Sequence, residues 1–139
     1  GIQDLIEINI DSSEGFRSAA EKIEDKSIAS MFRQCAIERD QNAAQLRSII
    51  EMNGETPESD GSVRGTLHRW WLELRGTVQQ GDEHAVLAEA ERGEDAIKHR
   101  YEDTLRETAG SAVNPVLQKQ YAGVKSRHDQ VRDMRDALA

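Results

Sequence analysis

Apolar residues step by three and four, without a slip, through the first half of this chain, and that spacing constrains the fold more than any other feature. From Ile2 the steps run through Leu5, Asn9, Ser12, Phe16 and Ala19 to Ile23. A second segment repeats the alternation through Ile28, Phe32, Cys35, Arg39, Asn42, Leu46 and Ile49. Alternating steps of three and four hold one stripe on one side of an α-helix, the seam along which helices pack lengthwise. A half-buried strand would need alternation by two, and no strand candidate competes.

The remaining segments follow the same rule. "GETPESDGS", with Gly54, Pro57 and Gly61, reads as a loop. After it, Ser62 can cap a helix whose apolar side is Val63, Leu67, Trp70, Trp71, Leu74 and Val78. "QGD" breaks that helix, and Asp82 caps a fourth with Leu87, Ala90, Glu94, Ile97, Tyr101 and Leu105 in its stripe. Gly110 closes it, and Asn114-Pro115 opens a fifth helix, proline being favourable at the first helical position. The fifth stripe reads Leu117, Gln120, Val124, Arg127/His128, Val131, Met134, Leu138. Helices are thus expected over about 2–24, 27–53, 62–80, 83–108 and 115–138. With 139 residues, the whole chain 1–139 is expected to form one domain with a real core.

Four of these helices would each be roughly 35–40 Å long. The first and second are joined by a short turn, as are the fourth and fifth, so each pair should pack antiparallel. The helix after Ser62 can carry the chain back along the bundle, which makes the fourth helix parallel to the second. The expected fold class is therefore all-α: a ferritin-like four-helix bundle of two antiparallel hairpins, with an additional helical crossover between the second and third bundle helices. A plain five-helix bundle is the competing architecture.

Each stripe turns polar near its middle. Asn9 interrupts the first, Arg39 and Asn42 the second, Glu94 the fourth, and Arg127 and His128 the fifth. In antiparallel pairs middles meet middles, so these residues are expected in one polar layer across the bundle. A buried carboxylate is tolerated when it is paired and hydrogen-bonded, and Arg39 is the suitable partner for Glu94 because a guanidinium can take both carboxylate oxygens. The alternative is a carboxylate/His metal site holding iron or another transition metal, drawn from Glu38, Glu91, Glu94 and His128. Di-iron bundles take one Glu from each of two helices and a Glu-x-x-His pair from each of the others. Here "ERDQ" supplies Glu38 without the His, and "KSRH" supplies His128 without the Glu. Arg39 would moreover place a fixed cation in the layer.

Other functions find little footing. The net charge is -8 with no Lys/Arg-rich block, which argues against nucleic acid. No apolar run approaches the ~20 residues of a membrane span. No signal peptide is visible, and a cytoplasmic setting is expected. The lone Cys35 sits among apolar positions and reads as a small buried hydrophobe. No nucleophile-and-base constellation, Gly-rich phosphate loop or His-Glu-x-x-His appears, so no catalytic residue is expected. Trp70 and Trp71 point about 100° apart on a helix, so one docks on the bundle and the other can cover a groove or a partner. His68, His84 and His99 lie off the apolar faces.

"DLIEINIDSSEGFRSAAEKI", "GSVRGTLHRWWLEL", "LAEAERGEDAIKHRYEDTL" and "QYAGVKSRHDQVRDMRD" together resemble a bacterial family of small proteins known as a ferritin-like four-helix-bundle domain of unknown function. The resemblance spans nearly the whole chain and implies the bundle fold without implying an activity. The function expected is a non-enzymatic structural or protein-interaction module with a buried Arg/Glu layer, self-associating or binding a protein partner, with no cofactor. The alternative is a degenerate di-iron metalloprotein.

Overall fold

A computed structural model describes residues 1–54 and 64–138, over 64–71 as backbone alone. Among the described residues the chain is all-helical. Its five helices are α1 (Ile2–Ala20), α2 (Lys26–Met52), α3 (Arg64–Gln80), α4 (Glu83–Glu107) and α5 (Asn114–Ala137).

Local chemistry sets the helix ends. Asp25 adopts an extended backbone and accepts the Ile28 amide at 2.9 Å, capping α2. Asp82 does the same for α4, accepting from the Ala85 amide at 3.1 Å. Each satisfies an amide that lacks an intrahelical partner. Gly54 and Gly110 follow α2 and α4 with φ of 75° and 81°, in the left-handed region where a side chain would be strained. The first helix stops at Ala20, short of the Glu24 that its stripe suggests. The extended geometry of the Asp25 cap requires the chain to unwind before it. Ile23 still packs against the core, so the hydrophobic stripe outlasts the helix that carries it. Ser62 and Val63, read as the start of the third helix, lie outside the described residues. The fifth helix begins at Asn114, one residue ahead of its proline, and Asn114 donates to the Leu105 carbonyl at 3.0 Å, fastening the α4–α5 turn.

Contacts between helices give their directions. Asn42 reaches Asn9 while Phe32 meets Phe16, so α1 and α2 run antiparallel. Tyr101 meets Gln120 while Glu91 meets Arg135, so α4 and α5 do too. Gly1 approaches Glu107 and Asn9 bonds Tyr101, making α4 antiparallel to α1 and hence parallel to α2. The crossover helix α3 packs on α1 and α4 and buries Leu74 and Val78. The interior is filled by Leu5, Phe16, Phe32, Leu46, Leu87, Ile97, Leu117 and Val131, all fully buried. Each such side chain contributes about 1.5–3 kcal/mol through removal from water. No described helix is long and apolar enough to cross a membrane.

Candidate functional site

The centre of the bundle is an ion pair. Arg39 on α2 and Glu94 on α4 are 1% and 0% exposed, and the Arg39 Nη2 donates to Glu94 Oε2 at 2.5 Å. The contact is made through a single donor. Arg39 Nε and Glu94 Oε1 are buried without a hydrogen-bond partner among the described residues. Desolvation pushes the Glu94 carboxyl up from its ordinary range, and the Arg39 charge and hydrogen bond act against it. Ionic attraction and loss of hydration therefore oppose each other here, as is usual for a buried pair.

A second polar group lies beside this pair, and Tyr101 is its hub. Asn9 Nδ2 donates to the Tyr101 hydroxyl at 2.9 Å, and the hydroxyl donates to Gln120 Oε1 at 2.8 Å. Gln120 Nε2 continues to Gln45 Oε1 at 2.8 Å, and Asn42 Nδ2 reaches Asn9 Oδ1 at 3.4 Å. All four bundle helices are joined in this way. Burial, first among the causes, pushes the Tyr101 phenol up to about 12, so it stays a neutral donor. Tyr101→Phe leaves Gln120 Oε1 without its donor, and the expected cost is about 1–3 kcal/mol. Equilibrium urea unfolding checks this; a variant as stable as the parent would show that the chain of bonds is not needed.

The remaining residues singled out in the sequence divide between the seams. Arg127 does not enter the central layer. It lies on the α2–α5 seam and grips Glu38, with Nε 3.0 Å from Oε1 and Nη2 2.5 Å from Oε2. Both residues flank their stripes, where long side chains cover the seam with their charges toward water. His128 is nearly buried, but it faces the α4–α5 seam. Its Nε2 lies 2.6 Å from Asp95 Oδ1 and 3.6 Å from Glu91 Oε1, and its Nδ1 lies 3.1 Å from Asp129 Oδ1. Arg135 bonds the other oxygen of Glu91.

The set Glu38, Glu91, Glu94 and His128 is thus not gathered at one point. Glu38 is held by Arg127, Glu94 by Arg39, and only Glu91 and His128 converge. Asp95 completes that convergence. A residue four positions after Glu91 lies one turn along the same helix face, whereas Glu94 turns inward. Asp95 lies off the apolar stripe, and the only signal for it in the sequence is that i,i+4 relation. Tyr101, Gln120 and Gln45 were likewise missed as a network, although a tyrosine hydroxyl inside a stripe calls for a partner.

Trp70 and Trp71 fall on α3, but their side chains lie outside the described residues, as does that of His68. His84 and His99 are exposed. Cys35 is fully buried, and burial pushes its thiol up to about 12, far from a reactive thiolate.

The family model of a domain of unknown function, DUF2383, matches residues 1–107. The chain belongs to this family. The matched stretch carries Asn9, Arg39, Glu94 and Tyr101, so the central pair and the hub of the network lie inside the family domain. Gln120, Arg127 and His128 on α5 lie beyond it. No curated protein matches the chain.

The residues at the centre of the bundle do not fit a di-iron centre. Glu94 is engaged by a fixed guanidinium, and both Glu38 oxygens accept from Arg127. A transition ion there would meet a permanent positive charge in place of a second carboxylate.

Proposed function

We propose that this chain is a non-enzymatic, ferritin-like bundle module that works through protein contacts, first of all with a second copy of itself. The observation that carries this reading is the Arg39–Glu94 pair. The place where a bundle of this type would do metal chemistry is filled by an ion pair that fixes how α2 and α4 sit against each other. A slide of either helix by one turn would part the two charges, bringing Arg39 toward Ala90 or Ile97 and Glu94 toward Cys35 or Asn42. Such a layer specifies register, the best-attested use of a buried polar group.

Contacts with a partner are supported by the crossover helix. It carries adjacent tryptophans, a residue type favoured at interfaces, and Leu72 on the same helix is 50% exposed. Light scattering across a range of protein concentrations is expected to show a reversible dimer. Leu72→Glu should shift it to monomer with helicity unchanged. A parent that stays monomeric throughout refutes the self-association. The other half of the reading is tested by metal analysis of untagged protein from iron-replete cells. Stoichiometric iron that is lost on Glu94→Gln but kept on Asp95→Asn would refute the non-enzymatic centre.

A further inference from the structure

We infer that Glu91, Asp95 and His128 form a binding site for a single divalent transition ion of the zinc type on the α4–α5 seam. It is separate from the central pair and independent of the reading above. The three ligand atoms, one from each residue, lie within 4.8 Å of one another. A tetrahedral zinc with bonds of about 2.0–2.2 Å holds its ligand atoms roughly 3.4 Å apart. The His128 Nε2 distances, 2.6 Å to Asp95 and 3.6 Å to Glu91, lie on either side of that value. Small rotations of side chains at a helix seam close the difference.

The hydrogen bonds around the site give its chemistry. Asp129 Oδ1 sits 3.1 Å from His128 Nδ1, and in the tautomer protonated at Nδ1 it accepts that hydrogen bond. The Nε2 lone pair then faces two carboxylates. A cation among these three acceptors would satisfy all of them. The arrangement carboxylate–histidine–metal is the usual way a protein orients a ligating imidazole. Glu91 is oriented in a similar manner, since Arg135 occupies one of its oxygens and leaves Oε1 for the ion. Arg132 approaches Asp129 at 3.4 Å and offsets its charge. One imidazole with two carboxylates suits zinc, cobalt or ferrous ions. The Asp95 side chain is 46% exposed, so water can reach the ion and supply the fourth position. Bound there, the ion ties α4 to α5 across the seam.

The competing occupant is a second proton, which would make His128 an imidazolium. Calorimetric titration of chelator-treated protein with Zn2+ separates the two. One saturable site per chain is expected, and Co2+ in its place should give the intense visible absorption of a four-coordinate ion. Asp95→Asn, a half-exposed position, should abolish saturable binding while the circular dichroism stays that of the parent. Asp129→Asn, which acts only by positioning the imidazole, should weaken binding by about 10–100-fold. Asp133→Asn, exposed and outside the site, should bind as the parent does. Absence of saturable heat, equal affinity in the parent and Asp95→Asn, or a Co2+ spectrum of the fully hydrated ion overturns the proposal.

Discussion

Arg39→Met is expected to destabilise the protein by about 3–5 kcal/mol at neutral pH, the usual cost of stranding one member of a buried ion pair. Glu94 would lose its hydrogen bond and the main influence that opposes desolvation. Its carboxyl, already pushed up by burial, rises further in the native state than in the unfolded chain. A carboxyl raised in this way contributes stability that is present below the ordinary carboxylate range and is lost as pH climbs through the raised value. The deficit of Arg39→Met relative to the parent should therefore shrink as pH falls from neutral toward roughly 4.3, the ordinary Glu value. Replacing both residues, as Arg39→Met with Glu94→Leu, removes the charge and the desolvation cost together. That double variant is expected to match or exceed the parent at neutral pH, and its lead should shrink as pH falls toward the ordinary carboxylate range, where the raised Glu94 carboxyl of the parent adds stability. Urea unfolding at several pH values reads all three proteins. A double variant as unstable as Arg39→Met would mean that the two side chains act by packing and not by charge.

The double variant also bears on register. If the pair chooses among helix alignments, apolar replacements keep stability and lose uniqueness. Amide exchange along α4 should then quicken and spread across the helix, while the parent protects it as one block. Sharp, parent-like exchange in the double variant counts against that role.

The stripes explain what the sequence discloses and what it withholds. Steps of three and four put Arg39 and Glu94 on the inward faces, and both are buried in the structure, since a helix gives its residues no choice of side once the stripe is set. Asp25 and Asp82 were readable as caps because an Asp before an apolar run has a specific amide to satisfy. The end of α1 was not readable. Ile23 keeps the stripe period outside a helix, so periodicity overstated the helix by the few residues that the cap must unwind. Seam residues were the hardest. Glu38 and Arg127, or Asp95 and His128, meet only because α5 lies antiparallel to both α2 and α4 at a particular rotation. No residue on one helix encodes that rotation by itself. Arg127 and His128 are neighbours in the chain, yet they face opposite seams, because adjacent helical residues diverge by about 100°. A stripe that allows either of them inward says nothing of which seam each will take.

The second large effect tests whether the bundle's closed end and its polar middle are independent. Phe16 and Phe32 are fully buried where α1 turns into α2, their rings edge-to-face with centroids 5.0 Å apart at 68°. Phe16→Ala removes the ring and leaves a cavity between helices that cannot close over it, at an expected cost of about 3–5 kcal/mol. Part of that cost, about 0.5–1.5 kcal/mol, belongs to the aromatic pair itself, and Phe32→Leu should already remove that part. Phe32 and Arg39 are two turns apart on α2, roughly 10 Å along the helix. At that distance stability changes add to within about 0.3–0.5 kcal/mol. Phe32→Ala combined with Arg39→Met should therefore lose the sum of the two single losses, measured by urea unfolding in a pH range where both still fold. Zn2+ affinity in Phe16→Ala should equal that of the parent, because α4 and α5 hold the ligands and neither carries either ring. A double loss well short of the sum, together with weakened Zn2+ binding, would show instead that the hairpin end positions the middle. The charge pair would then follow from the packing and would not direct it.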